Sequence, residues 1–170
     1  MQEHKTILRA LDVLDAMSAR IEGSDKVDEA DIDQILDFLR WFADAHHQAK
    51  EETILFPALK SSEASQGRPV EHLSFEHNLE RALIEDMEKD LRLRELSQFV
   101  SCANRLSSTL RNHIYKEDKI LFEVADAVLD PKEDAAVFER LDHFDTPLDK
   151  QALEEKLQGL RSLEWKYLRK

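Results

Sequence analysis

Apolar residues recur every three or four positions along four long stretches of this chain, a spacing typical of amphipathic α-helices. In the first stretch Ile7, Leu11 and Leu14 share one face. The connections between the stretches are short, which favours helices that pack beside one another. We therefore predict an all-α fold, an up-down-up-down four-helix bundle. Its helices are expected over residues 2–22, 28–59, 69–90 and 95–129.

Helix breakers and capping residues refine this pattern. Pro57 should kink or end the second helix, because proline lacks an amide hydrogen. Asp130-Pro131 and Thr146-Pro147 each have the form of a helix start, with an acid three residues after the capping residue. We expect the two shorter helices to pack outside the bundle or at a subunit contact. The predicted parts are a bundle over 1–129 and a C-terminal helical extension over 130–170.

One decamer occurs twice, as HQAKEETILF from His47 and as HIYKEDKILF from His113. Each copy places a glutamate four residues after its histidine, at Glu51 and Glu117. Residues four apart on a helix share a face, with side chains about 5–6 Å apart. Each His-Glu pair also interrupts a face that is otherwise apolar. The pairs should therefore point into the bundle, where carboxylates are costly unless a cation lies between them.

The other two long helices carry matching dipeptides, Glu3-His4 and Glu76-His77. His4 is in line with apolar residues of the first helix, and His77 with apolar residues of the third. Four histidines and two glutamates would then converge on the middle of the bundle. Nitrogen and oxygen donors without thiolate suit iron, with zinc or manganese as substitutes. The predicted metal ligands are His4, His47, Glu51, His77, His113 and Glu117.

Composition narrows the function classes. A net charge of −12 argues against nucleic acid and anionic membranes as partners. Cys102 is the single cysteine, so no intramolecular disulfide can form and a cytoplasmic location is expected. The sequence contains no apolar run long enough to span a membrane. The scarcity of glycine and the lack of a phosphate-binding loop speak against nucleotide chemistry.

Four segments carry a resemblance to a known family: EHKTIL, FADAHHQAKEETILFPAL, PVEHLSFEHNLERAL and NHIYKEDKILFEVAD. The chain resembles bacterial hemerythrin-like proteins of the HHE cation-binding type over residues 1 to about 130. The resemblance implies a non-haem di-iron centre, oxo- or hydroxo-bridged, that reacts with dioxygen, peroxide or nitric oxide. By the same resemblance, Glu51 and Glu117 would bridge the two iron ions.

The chain departs from the oxygen-carrying members of that family. Those proteins have two histidines four apart on the third helix, whereas His72 and His77 are five apart here. The fourth helix carries His-x-x-x-Glu in place of His-x-x-x-x-Asp. The predicted set is more similar to the four-His, two-Glu centres of iron-sulfur repair proteins and iron-sensing domains. The cysteine-bearing N-terminal region of the repair proteins does not occur in this sequence.

Neighbouring polar residues receive more modest interpretations. His46 points about 100° away from His47, so we expect it at the surface or beside the ligands. His72 is expected to be partly exposed and His143 to lie at the surface. Glu80 shares a face with His77 and could compete as a ligand, but a solvated side chain is the preferred interpretation. Arg81 either pairs with a ligand carboxylate or shields the site, and a surface ion pair is the alternative.

The remaining candidates are structural. Glu3 and Glu76 are interpreted as helix-terminal charges, at least for Glu3. Cys102 is expected to be a core thiol. Trp165 and Tyr167 are expected to anchor the last helix onto the bundle, with a dimer contact as the alternative.

The sequence is compatible with three alternative functions. The first is a di-iron protein that binds, senses or reacts with a diatomic molecule or a peroxide; no catalytic residue is assigned. The second is an iron-responsive interaction module, or an iron storage or delivery protein, in which metal mainly controls stability and partner binding. The third is a metal-free structural bundle. A monomer and a homodimer are both compatible with the sequence, and no protein partner is indicated.

Overall fold

The computed structural model describes residues 2–61, 68–144 and 150–169, and every regular element in these ranges is a helix. We number six helices in chain order. Two of them contain π-helical turns but are continuous along the chain. The helices are α1 Gln2–Glu22, α2 residues 29–61, α3 Arg68–Leu93, α4 residues 96–128, α5 Pro131–Asp142 and α6 Lys150–Tyr167.

The all-helical prediction is confirmed, and the four long helices lie within three residues of their predicted bounds. Of the two effects expected of Pro57, a kink or an end of the second helix, the end is contradicted, because α2 continues to Ser61. Pro57 has no amide hydrogen to donate to the carbonyl of Thr53, four residues earlier. Arg140 of α5 donates to that carbonyl instead, at 3.4 Å. A side chain from another helix thus satisfies the acceptor that the proline leaves unpaired.

Both decamers contain a five-residue π-helical turn that begins at the glutamate. The turns are Glu51–Leu55 in α2 and Glu117–Leu121 in α4. In each, the amide of the following phenylalanine donates to the glutamate carbonyl five residues earlier. A longer π-helical stretch, Leu39–Gln48, precedes the first turn in α2. Such insertions widen a helix locally and are frequent at functional sites.

The apolar faces of the long helices meet in two clusters. The larger cluster contains the predicted stripes of α1, α2 and α4, including Ile7, Ile35 and Phe99. The smaller one contains residues that follow the site in α2 and α4, such as Leu55 and Leu121. Burying one such side chain stabilises the fold by about 1.5–3 kcal/mol. The site lies between the two clusters as a polar layer.

The shorter helices pack on the long ones. Asp130 caps α5 by accepting from the amides of Lys132 and Glu133, and Glu133 accepts from the amide of Asp130. Helix α5 then packs against the first π-helical turn, and α6 packs against α1 and α2. The predicted cap at Thr146-Pro147 lies outside the described residues. No helix within the described ranges is long and apolar enough to cross a membrane.

The two aromatic residues of α6 differ from each other. Tyr167 is buried, and its hydroxyl donates to Asp31 of α2 at 2.6 Å, so it anchors the helix as predicted. Trp165 is 61% exposed, and the prediction that it anchors α6 is wrong. Cys102, predicted to be a core thiol, is only half-buried. His143 is exposed at the end of α5, as expected.

Candidate metal centre

The structure brings the six predicted ligand residues together, and each is at least 97% buried. Helix α1 contributes one histidine, α3 another, and α2 and α4 a histidine and a glutamate each. The side chains form two groups that share both glutamates, with ligand atoms within 4.8 Å of one another in each group. The first half-site is His4, His47, Glu51 and Glu117, and the second half-site is Glu51, His77, His113 and Glu117.

In the first half-site the two imidazoles meet through their Nε2 atoms, which lie 3.2 Å apart between His4 and His47. The His4 Nε2 atom is 3.3 Å from Glu117 Oε2. The His47 Nε2 atom is 3.7 Å from Glu51 Oε1. Two nitrogens and one oxygen from each carboxylate therefore face one point.

The second half-site has the same form. The Nε2 atoms of His77 and His113 lie 3.0 Å apart. The His113 Nε2 atom is 3.0 Å from Glu117 Oε1, and the His77 Nε2 atom is 3.5 Å from Glu51 Oε2. Each glutamate thus presents one oxygen to one half-site and its other oxygen to the other. This is the arrangement that carboxylates bridging two cations require.

The outward Nδ1 atom of each imidazole lies within hydrogen-bonding distance of a carboxylate. A carboxylate only accepts, so each Nδ1 carries the hydrogen and donates it. The neutral imidazoles then keep an Nε2 lone pair that points into the site. The four contacts are His4 to Asp118 at 2.8 Å, His47 to Glu3 at 2.9 Å, His77 to Glu52 at 2.8 Å and His113 to Glu76 at 3.0 Å.

These contacts test whether a metal ion fits. Two Nε2 lone pairs about 3 Å apart repel each other unless a cation or a proton lies between them. Two donors bound at right angles to one ion, each at about 2.1 Å, would be about 3.0 Å apart. All four oxygens of Glu51 and Glu117 are buried and lack a hydrogen bond of acceptable geometry. The donor set therefore suits a pair of cations in both its chemistry and its spacing.

A sequence model of the hemerythrin HHE cation-binding domain matches residues 1–125 of the chain. This match covers α1 to α3 and nearly all of α4. The chain belongs to the hemerythrin HHE family. No curated protein matches the sequence. Helices α5 and α6 lie beyond the matched residues.

The other residues of the decamer support the histidines of this hemerythrin HHE domain. The residue after each glutamate, Glu52 or Asp118, accepts from an imidazole of another helix. The decamer lysines pair with the carboxylates that precede the other histidines, Lys50 with Glu3 at 2.6 Å and Lys116 with Glu76. The interpretation of Glu3 and Glu76 as helix-terminal charges is therefore incomplete. Both hold an imidazole in place, which the sequence analysis did not foresee.

The decamer phenylalanines also contact the site. Phe56 stacks on the imidazole of His77, with ring centroids 5.5 Å apart and planes 20° from parallel. Phe122 lies over His4 at 6.2 Å and 29°. Both rings cover an imidazole with apolar surface. They help to exclude water, which strengthens electrostatic interactions within the hemerythrin HHE site.

Without a cation, the buried groups perturb one another strongly. Burial disfavours the charged form of His47, but Glu51, Glu117 and Glu3 raise its pKa to about 10. Burial is likewise outweighed at His113, where Glu117 and other carboxylates raise the pKa to about 9. Burial and the charge of His113 lower the pKa of His77 to about 4. Protons on two imidazoles therefore balance the carboxylates, and a bound cation would displace them.

The two bridging candidates have opposite tendencies. Burial raises the pKa of Glu51 above its ordinary value, and the neighbouring Glu117 adds to the effect. Burial acts in the same direction on Glu117, but three close imidazoles hold its pKa below the ordinary value. Burial therefore dominates at Glu51, whereas the close imidazoles dominate at Glu117.

The expectation that Glu80 is solvated is wrong. Its side chain is 2% exposed, and Oε2 accepts from the amide of Gln48 at 2.5 Å. Its other oxygen is buried without a hydrogen-bond partner. Burial raises the pKa of Glu80 to about 7. Glu80 is outside both half-sites, and it is a further buried carboxyl group that interacts with His113 of the second half-site.

Three further side chains each contact a carboxylate that accepts a hydrogen bond from an imidazole of the site. Arg81 bonds Asp44 at 2.7 Å and Glu52 at 2.8 Å, so it pairs with a carboxylate that holds His77 and not with a predicted ligand. His46 lies beside Glu3, with Nε2 3.2 Å from Oε1. His72 is exposed and contacts Glu76.

Proposed function

We propose that the chain is a non-haem di-iron protein that binds, senses or reacts with dioxygen, peroxide or nitric oxide. The observation that carries this proposal is the convergence, in two half-sites, of four imidazole Nε2 atoms and four buried carboxylate oxygens that lack a hydrogen bond. The ligands would be His4, His47, Glu51, His77, His113 and Glu117, with both glutamates bridging. Donors that are nitrogen and oxygen alone favour iron, with zinc or manganese as substitutes.

For this function the chain must hold the ligand side chains in place before metal binds. Carboxylates that accept from Nδ1 fix the tautomer and the direction of each imidazole, and such partners raise the basicity of a ligand. In each half-site two imidazole nitrogens and two carboxylate oxygens would hold one iron ion. A bound iron pair would supply the capacity to exchange electrons with a small molecule. The chain supplies a dry, fixed ligand frame.

We also propose that residues 1–129 form an up-down-up-down four-helix bundle that carries this site. The order of the two apolar clusters supports it, because α2 and α4 run from the larger cluster to the smaller one and α3 runs the opposite way. Residues 130–170 would be an extension packed on this bundle. The proposed protein is a monomer or a homodimer, and its location is cytoplasmic.

The proposal is tested by metal content. Protein made in iron-replete cells should hold two irons per chain and show, in air, near-ultraviolet bands of an oxo- or hydroxo-bridged pair. Reactions with oxygen, peroxide and nitric oxide can then be followed in the same bands. A chain that holds no iron, and takes none up on anaerobic reconstitution, would leave only a structural bundle.

A second function is favoured by the repulsion between the buried lone pairs and carboxylates. Because a cation relieves this repulsion, metal should strongly stabilise the fold, which an iron-responsive module or an iron storage or delivery protein requires. This function predicts that iron raises the melting temperature and alters partner binding, while oxidants leave the metal spectrum unchanged. The leading proposal predicts spectral change with at least one small molecule.

A further inference from the structure

A cavity of about 420 Å³ lies between α2, the end of α4 and α5. Its most buried lining side chains are His47 and Glu51 of the first half-site. The walls are largely apolar, with Leu55 and Phe122 next to the site and Val137 on α5. A pocket of this size, apolar with few polar groups at one end, is typical of small-molecule sites.

Helix α5 supplies one wall of this cavity. Val137 and Leu141 project from it, and α5 begins at Pro131, beyond the residues that match the family. Its capping box and its contact with the first π-helical turn hold it beside the site. The two histidines of the second half-site, His77 and His113, do not line this cavity, although the shared Glu51 does. The extension therefore places an apolar cavity beside the first half-site.

The charges around the cavity restrict its occupant. Three exposed carboxylates, Asp126, Asp134 and Asp142, lie among its lining residues. The ammonium of Lys50 is bound to Glu3 at 2.6 Å. An anion would meet net negative potential on entering, which disfavours its association. A cation would have to leave water for apolar walls, which is costly. A neutral molecule incurs neither cost.

We propose that this cavity binds a small neutral organic molecule, with an apolar body against α5 and an oxygen-bearing head, of the alcohol or hydroperoxide type, towards His47 and Glu51. The inference rests on the proposed function, because the head faces the first half-site. An organic ligand in the cavity would therefore contact the first half-site. The proposed ligands would then include molecules with an apolar body as well as diatomic molecules and peroxide.

The test is binding of cumyl alcohol to the metal-loaded protein by titration calorimetry. Ala125 lines the cavity and Ala127, two residues later on α4, is exposed, so the same substitution can be placed at both. Ala125→Phe should fill the cavity and weaken binding at least about tenfold, or about 1.4 kcal/mol. Ala127→Phe should leave binding unchanged. Equal affinity in both variants would overturn the proposal.

A second cavity variant and two charged ligands provide further checks of this proposal. Leu141→Trp on α5 should also weaken binding, and it keeps the test valid if Ala125→Phe fails to fold. Benzoate and benzylamine have similar bodies but opposite charges, and both should bind more weakly than the alcohol. Tighter binding of either ion would overturn the neutral class.

Metal content separates this inference from the proposed function. A protein that holds two irons but binds no cumyl alcohol keeps the di-iron proposal and overturns the cavity proposal. A protein that binds the alcohol but retains no metal overturns the di-iron proposal, and with it the assignment of the head to the first half-site.

Discussion

The two copies of the decamer make the same contacts in different surroundings. In each, the histidine points Nε2 into the site, the glutamate faces both half-sites, and the next acid accepts from an imidazole of another helix. In each, the lysine binds the carboxylate that precedes a histidine, and a π-helical turn begins at the glutamate. The shared contacts all hold or orient an imidazole or a carboxylate of the site. The duplicated residues therefore supply four of the six candidate ligands and the side chains that orient the imidazoles.

The residues that surround the two half-sites, but are not candidate ligands, differ between them. Three residues after His77 is Glu80, whereas three residues after His4 is Ile7. Gln48, which donates to Glu80, corresponds to Ile114 in the second decamer. One pair is polar and the other apolar, and all four side chains are buried. The first half-site also borders the cavity beside α5. The two half-sites therefore share the same kinds of donor but not the same neighbours.

The largest effect should come from the residues that both half-sites share. Glu117→Ala removes an oxygen from each half-site and takes away the carboxylate that faces the Nε2 atoms of His4 and His113. We expect the variant to lose metal from both half-sites and not from one. Metal per chain, measured by mass spectrometry after gel filtration, checks this. Glu123→Ala, an exposed position on the same helix, is the control. A variant that kept one full equivalent of metal would mean that the half-sites are independent.

The next effect concerns the polar pair that only one half-site has. Burial raises the pKa of Glu80 from its ordinary 4.5 to about 7, so the folded protein holds this proton more tightly than the unfolded chain does. Stability of the metal-free protein should therefore fall as the pH rises from about 4.5 to about 7. The shift corresponds to about 3 kcal/mol at pH 8. Glu80→Gln should remove this loss and still accept from Gln48.

Urea unfolding of the metal-free protein at pH 5 and pH 8 measures the effect. The stabilisation by Glu80→Gln should be small at pH 5 and large at pH 8. Glu85→Gln, an exposed position on the same helix, should change neither value. A stabilisation that is equal at both pH values would show that ionisation of Glu80 is not its cause.

A smaller effect is expected at the acids that orient the imidazoles. Glu52→Gln and Asp118→Asn keep the size of each side chain but remove the charge beside His77 or His4. Loss of such a partner lowers metal affinity about 10–100-fold. Competition with a chelator should give similar losses for the two variants, because the two acids occupy corresponding decamer positions. A loss in only one variant would mean that the half-sites differ in their supporting residues as well as in their neighbours.

The sequence predicts part of this arrangement well. The six candidate ligands could be grouped because helical periodicity places each on an apolar face, and the helix bounds follow from the same periodicity. The π-helical turns could not be predicted, because periodicity reports which face a residue occupies and not which carbonyl its amide contacts. Glu52 and Asp118 lie about 100° from the ligand that precedes them, so their helix alone does not place them at the site.

The repeat nevertheless indicates that Glu52 and Asp118 have a role, because an acid occupies this position in both decamers. The decamers share a lysine and an acid besides the His-Glu pair, and each of these turns out to contact a neighbouring helix. Glu80 was misjudged for a different reason. Its burial depends on Gln48, which lies on another helix. Trp165 was misjudged because a large aromatic side chain at a helix end does not by itself indicate which face packs.

The smallest predicted effect lies in the helix that makes the two half-sites unequal. Asp130→Ala removes the cap of α5 and should cost about 1 kcal/mol of folding stability. Metal content should not change, because no α5 residue belongs to either half-site. Cumyl alcohol should nevertheless bind more weakly, since α5 would be less firmly held beside the first half-site. Thermal unfolding, metal analysis and calorimetry on one preparation check all three. The control is Lys132→Ala, an exposed position that does not line the cavity and that keeps the backbone amide bound by Asp130. Loss of metal in Asp130→Ala would show that the extension supports the centre itself and not only its apolar neighbourhood.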